Sequence, residues 1–204
     1  MAGWAGRDVA AVEAHIHELE LLGTPRPSRT PIFYRVSSSL LTIAETIQVV
    51  GDETSGEVEF IIVRDASGLW VGLGSDHTDR ALERSNVPLS KQLCAKVAAS
   101  TLWRFDDVAP HWDRMELQSW AHRGGQRELY QKGLVSTVLQ PERLLELYEQ
   151  SALALPIGGA MFGGTIATVN AIAPADAFEM ELHDPVVGRV LRHRYAIQTL
   201  PVNA

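Results

Sequence analysis

Apolar residues near the start of the chain recur at the spacing of a helix. The residues at this spacing are Val9, Val12, Ile16 and Leu19. Side chains spaced in this way share one face of a helix. Asp8 is a residue type that caps helix starts, and Gly23 with the prolines after it ends the segment. The pattern predicts a helix over residues 9–22 with one buried stripe, followed by a proline-containing loop that reaches residue 30.

Most other apolar residues fall in short runs that are β-branched or alternate with polar residues, as strands do. These runs cover residues 31–36, 46–50, 57–63, 69–73, 115–121, 166–172, 177–182 and 190–197. Turn residues at 65–68 and at 124–125 predict two hairpins, and a second helix is predicted over 142–152, after Pro141. Because helices do not regularly follow strands, the pattern indicates a single strand-rich α+β domain over residues 1–204. It argues against a doubly wound nucleotide-binding fold.

The composition is that of a folded soluble protein. Hydrophobic residues make up 46% of the 204, and 25 Asp and Glu against 18 Lys and Arg give a formal net charge of −7. These values argue against a disordered chain and against a nucleic-acid-binding surface. Arg7 and Asp8 interrupt the place where a signal peptide would be apolar, and Pro156 with several glycines interrupts the most apolar window, 153–169. We therefore expect a cytoplasmic protein with neither a nucleic-acid nor a membrane partner.

The single cysteine, Cys94, cannot form an internal disulfide, which suits a reducing compartment. A lone cysteine is more often a small buried apolar residue than a nucleophile. We therefore expect Cys94 to be buried and to take no part in chemistry.

The strongest chemical signal is a pair of carboxylates inside an otherwise apolar strand, in the run SGEVEFIIV. Strand residues alternate between two faces, so Glu57 and Glu59 point to the same side. Two carboxylates on one buried face repel each other and are costly to desolvate. A bound cation that prefers oxygen ligands, such as Mg²⁺, Mn²⁺ or Ca²⁺, would offset that cost. An edge strand with a solvated acidic face is the alternative.

A third carboxylate, Asp76, follows two glycines at the end of the strand predicted to pair with the first. Because the two strands are adjacent, Asp76 and Glu57 can converge. Asp79 is also near, but its position favours capping the short helical run that follows it. The sequence therefore predicts a metal site formed by Glu57, Glu59 and Asp76, with about three positions left for water or substrate on a divalent ion.

The order of these motifs resembles the fumarylacetoacetate hydrolase superfamily over about residues 6–195. A Glu-x-Glu strand, an Asp-x-x-x-Arg segment, a lysine and a Gly-Thr pair follow one another in that superfamily. Their counterparts here are Glu57, Glu59, Asp76, Arg80, Lys91, Gly164 and Thr165. Ser75 stands where the superfamily commonly has asparagine, and Ile166 where a proline is usual. The resemblance implies a mixed β-sheet roll or sandwich with few helices, a homodimer, and a divergent branch of the superfamily.

The N-terminal helix resembles that of superfamily members that hydrolyse or decarboxylate keto acids, which carry a His-x-x-Glu pair there. His15 and Glu18 have this spacing, and so do His17 and Glu20 on the other flank. Residues three apart on a helix are neighbours, and a glutamate can orient a histidine that acts as a general base. We favour His15 and Glu18, with segment 1–30 as a lid that hinges at its proline-containing loop. A solvated, charged helix face is the alternative.

The resemblance implies a metal-dependent hydrolase or decarboxylase that cleaves a C–C bond in a small keto acid or β-dicarbonyl substrate. In this hypothesis His15, supported by Glu18, activates water, and Lys91 stabilises the developing oxyanion next to the divalent ion. The resemblance assigns substrate binding to Arg80, Gly164 and Thr165. Two alternatives stay open, namely a non-catalytic metal- or metabolite-binding protein on the same fold, and a lyase or isomerase.

Overall fold

A computed structural model describes residues 1–21, 25–151 and 154–203 of the chain. The helices are α1 (Val9–Leu21), α2 (Arg80–Glu83), α3 (Val87–Gln92), α4 (Phe105–Val108) and α5 (Pro141–Ser151). The strands are β1 (Ala2–Gly3), β2 (Ile32–Phe33), β3 (Leu41–Thr42), β4 (Thr46–Val50), β5 (Thr54–Ser55), β6 (Val58–Asp65), β7 (Gly68–Asp76), β8 (Thr78–Asp79), β9 (Lys96–Ala98), β10 (Trp103–Arg104), β11 (Glu116–Arg123), β12 (Gln126–Leu134), β13 (Ala160–Phe162), β14 (Ala177–Asp184) and β15 (Arg189–Leu200). The predicted strand-rich α+β class is confirmed.

Two larger sheets contain most of these strands. The first has the order β13-β6-β7-β9-β3, with β10 also paired to β7, and the second has the order β12-β11-β14-β15-β4. Both are mixed, because β3 pairs in parallel with β9 and β15 in parallel with β4, whereas β6, β7, β11 and β14 pair antiparallel with their neighbours. Two small sheets, β1-β2 and β5-β8, complete the set that the structure describes.

The hydrophobic core lies where the two larger sheets face each other. Strands β6 and β7 contact β14, and β6 also contacts β11. Along β14 the buried positions alternate, so Phe178, Met180 and Leu182 point into the core. From the opposite sheet Phe60 is fully buried, with its ring edge-on to Trp112 at 4.9 Å between centroids. Burying each such side chain contributes roughly 1.5–3 kcal/mol, so the β6–β7 hairpin is held firmly at its middle.

Several predicted elements are confirmed. Strands at 46–50, 115–121, 177–182 and 190–197 are present, and the hairpin predicted from 57–63 and 69–73 is found as β6 and β7, with the turn between Asp65 and Gly68. The turn predicted at residues 124–125 joins β11 to β12. The predicted run 31–36 is a strand only at Ile32–Phe33. The second helix is α5, and its predicted end at Ala152 lies outside the described residues.

The strand predicted at 166–172 is wrong. Only Thr168 makes an isolated bridge, to Gln131, and the true strand of this region, β13, lies earlier in the chain. The run lies beside β12, where the N–H of Val169 donates to the carbonyl of Tyr130 at 2.8 Å. The carbonyl of Ile166 instead accepts from the Gln131 side-chain amide at 2.6 Å, so side-chain and backbone bonds share the run and no regular ladder forms.

The buried stripe predicted for the first helix is only partly present. Ile16 is 1% exposed, whereas Val9 is 75% exposed. Helix α1 therefore buries a narrower strip than the spacing indicates. The predicted cap is confirmed, since Asp8 Oδ1 accepts hydrogen bonds from the backbone N–H groups of Ala10 and Ala11 at 2.9 and 3.1 Å. The Leu19 side chain and the predicted end at 22–23 lie outside the described residues. None of the described helices is both long and apolar enough to cross a membrane.

Candidate functional site

The open end of the β6–β7 hairpin brings three carboxylates together. Glu57 immediately precedes β6, Glu59 lies in β6, and Asp76 is the last residue of β7. The backbone N–H of Asp76 donates to the carbonyl of Glu57 at 3.0 Å, which fixes the two chain segments side by side. One carboxylate oxygen from each of the three residues lies within 4.8 Å of the other two. We call Glu57, Glu59 and Asp76 the acidic cluster.

Within the acidic cluster, the ionised form of Glu59 is disfavoured by its surroundings. This residue is 2% exposed, and burial, followed by the charges of Asp76 and Glu57, raises its pKa well above the usual range. Burial also acts to raise the pKa of Glu57, but the charges of Lys91 and Arg80 outweigh it and hold that pKa at about 2. The pKa values of two neighbouring carboxylates are thus shifted in opposite directions, because Lys91 and Arg80 form salt bridges with Glu57, whereas none reaches Glu59 among the described residues.

Two lysines contact Asp76. Lys91 of α3 places its Nζ 2.7 Å from Asp76 Oδ2 and 3.2 Å from Glu57 Oε2. Lys96 of β9 donates to the carbonyl of His77 at 2.6 Å and lies 2.7 Å from Asp76 Oδ1, at an angle that makes no hydrogen bond. Asp76 Oδ1 is therefore a buried carboxylate oxygen that accepts no hydrogen bond in the described part of the chain, and its partner is the charge of the Lys96 ammonium.

Lys96 was missed by the sequence reasoning, which assigned the lysine of this site to Lys91 alone. Lys96 is 1% exposed and stands opposite Asp76 in the β7–β9 pairing. A usable signal was present, because Lys96 is surrounded by small apolar residues in the run CAKVAAS. Lysines are almost never fully buried unless they are paired, so a lysine in such a run predicts an acidic partner.

Arg80 is anchored within the site by three acceptors. Its Nε donates to Ser55 Oγ at 2.7 Å, and its Nη1 donates to Glu57 at 2.9 Å and to Glu83 at 2.6 Å. Burial and then the two carboxylates act on the Arg80 pKa in opposite directions, and the carboxylates prevail and raise it. Arg80 thus orients Glu57. Asp79, before it, caps α2 by accepting from the N–H of Leu82, as predicted.

Gly164 and Thr165 support the strand that carries Glu59. The backbone N–H of Gly164 donates to Glu59 Oε2 at 2.8 Å, and the Thr165 hydroxyl donates to the carbonyl of Val58 at 2.9 Å. Gly164 has φ +103°, a backbone conformation that side-chain-bearing residues rarely adopt. The structure therefore places this Gly-Thr pair against the acidic cluster, where its visible contacts hold a carboxylate in position.

Gln131 is a second residue that the sequence reasoning missed. It is 1% exposed, and its Oε1 accepts from the N–H of Val58 at 3.0 Å and from Ser119 Oγ at 3.0 Å. Its Nε2 donates to Thr165 Oγ1 at 2.8 Å and to the carbonyl of Ile166. Gln131 therefore ties β12 to both segments that flank Glu59. No local motif marks it, because its partners are 12 to 73 residues away.

A chain of buried polar side chains lies behind the acidic cluster. Ser75 Oγ accepts from the N–H of Glu57 at 3.2 Å and shares a hydrogen bond of 2.8 Å with the Tyr195 hydroxyl. His77 bonds through Nδ1 to Tyr195 and through Nε2 to Thr54, each at 3.0 Å. Burial, then the charges of Lys96 and Arg80, lowers the pKa of His77 to about 3, so the ring is neutral. This chain fixes the backbone on both sides of Asp76.

The predicted His-Glu pair is present on α1, at the surface. His15 Nδ1 lies 3.5 Å from Glu18 Oε2, and the two side chains are 60% and 73% exposed. In the competing pair, the Glu20 carboxylate accepts a hydrogen bond from Arg26 at 3.2 Å and not from His17. Within residues 1–21, 25–151 and 154–203, no hydrogen bond or ion pair joins His15 or Glu18 to the acidic cluster.

Cys94 is buried, at 3% exposure, as expected. Burial raises the pKa of its thiol to about 11. The thiolate, which is the nucleophilic form, is therefore scarce at neutral pH, which agrees with the prediction that Cys94 is a small buried residue.

Solved structures with the same fold are known. The chain is similar to 2-keto-3-deoxy-D-arabinonate dehydratase in its apo form, with 18% identity, a TM-score of 0.69, and coverage of 98% of this chain and 72% of that one. It is also similar to yeast ynq8, a fumarylacetoacetate hydrolase family protein, with 16% identity, a TM-score of 0.64, and coverage of 91% and 89%. The expected fumarylacetoacetate-hydrolase-like fold is confirmed.

Two further structures define the range of these relatives. The 5-carboxymethyl-2-hydroxymuconate delta-isomerase from Mycobacterium smegmatis has 16% identity, a TM-score of 0.58, and coverage of 87% of this chain and 71% of that one. The dehydratase complexed with magnesium and 2,5-dioxopentanoate has 19% identity, a TM-score of 0.63, and coverage of 84% and 63%. The chain spans 55% of the dehydratase in its hexagonal crystal form.

No curated protein matches the chain. Over residues 2–195 the chain matches the family described as "Protein of unknown function (DUF2848)", and it belongs to that family.

Proposed function

We propose that this protein is a divalent-metal-dependent enzyme that cleaves a C–C bond in a small 2-keto acid or β-dicarbonyl compound, by hydrolysis or decarboxylation. The observation that carries the proposal is the acidic cluster, in which three carboxylate oxygens lie within 4.8 Å of one another at a largely buried position. An arrangement of like charges this close is costly unless cations share it, and among the described residues the salt bridges reach Glu57 and Asp76 but not Glu59.

The residues fit a hard divalent ion such as Mg²⁺ or Mn²⁺. All three groups of the cluster offer carboxylate oxygens, the ligand type such ions prefer. Burial and the charges of Asp76 and Glu57 raise the pKa of Glu59, and no salt bridge among the described residues reaches this carboxylate, so a cation beside it would stabilise its charged form. In our proposal Glu57, Glu59 and Asp76 are the ligands. When bound, the ion would act as a Lewis acid on the substrate's keto acid oxygens and stabilise the enolate charge that bond cleavage creates.

Other residues of the site would stabilise negative charge on the substrate and keep the metal ligands in position. Lys91 and Lys96 place two ammonium groups at the cluster, which favours negative charge on a nearby substrate oxygen. Arg80 keeps Glu57 oriented through a hydrogen bond of 2.9 Å. The backbone at Gly164 and Thr165 borders the cluster and is our candidate to orient a substrate carboxylate.

In hydrolysis, His15 is our candidate for the general base. Its Nδ1 faces Glu18, so Nε2 can accept a proton from water as the water oxygen bonds to the substrate carbonyl. The C–C bond then breaks with its electron pair moving into the enolate, and the proton returns from His15 to the enolate carbon. Because His15 is 60% exposed on α1, this role requires α1 to close over the cluster as a lid.

A second candidate, a lyase or isomerase, is favoured by the relatives of known structure. One relative is named a dehydratase and was solved with magnesium and 2,5-dioxopentanoate, and another is named a delta-isomerase. Elimination or isomerisation of a 2-keto acid also passes through an enolate, so the same cluster would serve. A third candidate, a metabolite-binding protein without turnover, needs the metal but not His15.

The test is to incubate the protein with Mn²⁺ or Mg²⁺ and with an acylpyruvate, with oxaloacetate and with a 2-keto-3-deoxy sugar acid, and to identify products by mass spectrometry. C–C cleavage of the first or second substrate that is lost in Glu59→Gln supports the proposal. Water loss from the third substrate would move the function to the lyase candidate. If no substrate is turned over while metal binds, or if His15→Ala leaves turnover unchanged, the catalytic assignment is wrong. The homodimer and the cytoplasmic location stay predictions.

A further inference from the structure

The Lys91 ammonium lies between two residues of the acidic cluster. It is 2.7 Å from Asp76 Oδ2 and 3.2 Å from Glu57 Oε2, and its side chain is 8% exposed. It comes from α3, a short helix capped by Asn86 and separate from the hairpin that carries the acids. A cation delivered by a different element thus contacts two of the three carboxylates that our proposed function assigns to a metal ion.

Lys91 differs from the other two cations of the site in what holds it. Lys96 is anchored outside the cluster by the carbonyl of His77, and Arg80 is anchored outside it by Ser55 and Glu83. Both would stay in place if the cluster carboxylates turned to another partner. Among the contacts that the described residues make, Lys91 Nζ has only Asp76 and Glu57 as acceptors.

The Lys91 ammonium and a divalent ion would compete for the same carboxylates, because both are positively charged. Glu57, Glu59 and Asp76 carry three negative charges when ionised, and Lys91 shares two of these carboxylates. A divalent ion on the same carboxylates would stand close to the ammonium, and like charges at such distances in a largely buried site repel strongly. The lysine side chain is long and flexible, and α3 is a short helix of six residues, so the ammonium can move away from the carboxylates.

We propose that Lys91 is a displaceable counterion, which pairs with Glu57 and Asp76 without metal and withdraws from them when a divalent ion binds. Lys91 thereby sets the metal affinity of the site and keeps the metal-free protein stable. This inference rests on the proposed metal site but not on the reaction that it catalyses.

The test compares Mn²⁺ binding by calorimetry to the wild type, to Lys91→Met and to the control Lys132→Met, whose lysine is exposed on β12. Methionine keeps the length and apolar stem of lysine without its charge. We expect Lys91→Met to bind Mn²⁺ about tenfold or more tightly than the wild type, because a repelling charge is gone. Its melting temperature should fall without metal and rise more than that of the wild type on adding Mn²⁺. Lys132→Met should match the wild type.

The outcomes separate this inference from the proposed function. If the wild type binds Mn²⁺ and Lys91→Met binds it equally or more weakly, the displacement is wrong and the metal site stands. If only Lys91→Met binds Mn²⁺, Lys91 blocks the metal in the wild type and is not displaced by it, so both the displacement and metal-dependent catalysis by the wild type are wrong, while the three carboxylates remain a metal site. If neither binds, both are wrong.

A second measurement uses the wild type alone, so it does not depend on how Lys91→Met folds. Lysines are labelled with acetic anhydride, and Lys91 and Lys132 are quantified by mass spectrometry. Mn²⁺ should increase the labelling of Lys91 several-fold and leave Lys132 unchanged. Labelling of Lys91 that stays constant or falls on adding Mn²⁺, in protein shown by calorimetry to bind it, would overturn the displacement.

Discussion

The carboxylate of Glu59 accepts a hydrogen bond of 2.8 Å from the backbone N–H of Gly164, a residue 105 positions further along the chain. Gly164 reaches this position with φ +103°, and a Cβ there would lie 3.1 Å from the Cβ of Ala5. One glycine thus orients one oxygen of the acidic cluster, and the Glu59 pKa stays raised in spite of this bond. The cluster is held by backbone geometry as well as by its cations.

We predict that Gly164→Ala lowers the free energy of unfolding by about 1–3 kcal/mol and weakens Mn²⁺ binding, because the strained backbone moves its N–H away from Glu59. Denaturant unfolding and calorimetry measure the two effects. Gly188→Ala is the matched control, since Gly188 has φ +69° and open space around its Cβ position. The control should lose stability but keep its metal affinity. Unchanged metal affinity in Gly164→Ala would show that the bond to Glu59 has no role in the site.

We predict that Gln131→Leu lowers the free energy of unfolding by about 2 kcal/mol or more. The change leaves the N–H of Val58 and the hydroxyl of Ser119 without the oxygen that they now share, and a buried donor without a partner costs about 1–3 kcal/mol. Urea titration measures the loss. Gln126→Leu, an exposed position on the same strand, should change stability by less than about 0.5 kcal/mol. Equal stabilities of the two variants would contradict the role assigned to Gln131.

We predict that Glu179 stabilises the fold above about pH 4.5 and that this contribution is lost as the pH falls towards 2. Its carboxylate accepts two hydrogen bonds from Arg127, at 2.8 and 2.9 Å, and one from His122 at 2.9 Å. The bonds from Arg127, against the opposing effect of burial, lower the Glu179 pKa to about 2. Between the two pKa values the unfolded chain binds the extra proton, so stability rises with pH in that window.

The measurement is the unfolding free energy of the wild type and of Glu179→Gln at several pH values. The difference should be on the order of 2 kcal/mol at pH 6 and shrink steadily towards pH 2. Glu146→Gln, at a position whose side chain is 61% exposed, serves as the control and should show little difference at any pH. A Glu179→Gln difference that stays constant from pH 6 to pH 2 would contradict the assignment.

The parts of the fold that the sequence predicts correctly are those set by local patterns. The β6–β7 hairpin follows from two apolar runs around a turn, and the meeting of Glu57 and Asp76 follows from the pairing of those runs. The acid pair was visible because two carboxylates in an apolar strand conflict with burial. The Asp79 cap was visible for the same local reason, since its partner is only three residues away.

The parts that could not be predicted depend on partners distant in sequence. Gln131 binds Val58 across 73 residues, and no pattern near either residue indicates this bond. The same side chain donates to the carbonyl of Ile166, and no pattern in the run 166–172 indicates that this carbonyl has a side-chain partner in place of a strand partner. Lys96 had a local signal, but Lys91 lies only five residues before it. That both lysines contact Asp76 could not be predicted, because it depends on the register in which β9 pairs with β7.

The most direct test of the central claim is Mn²⁺ binding to the wild type and to Glu59→Gln, measured by calorimetry, with the exposed Glu128→Gln as control. Glutamine has the shape of a neutral glutamate and cannot ionise, so Glu59→Gln should fold and, without metal, should be at least as stable as the wild type, because burial and two neighbouring carboxylates disfavour a charge at this position. The account predicts that the wild type and the control bind one Mn²⁺ per chain and that Glu59→Gln loses this binding. A wild type that binds no Mn²⁺ or Mg²⁺, or a Glu59→Gln variant that binds Mn²⁺ as tightly as the wild type, would contradict it.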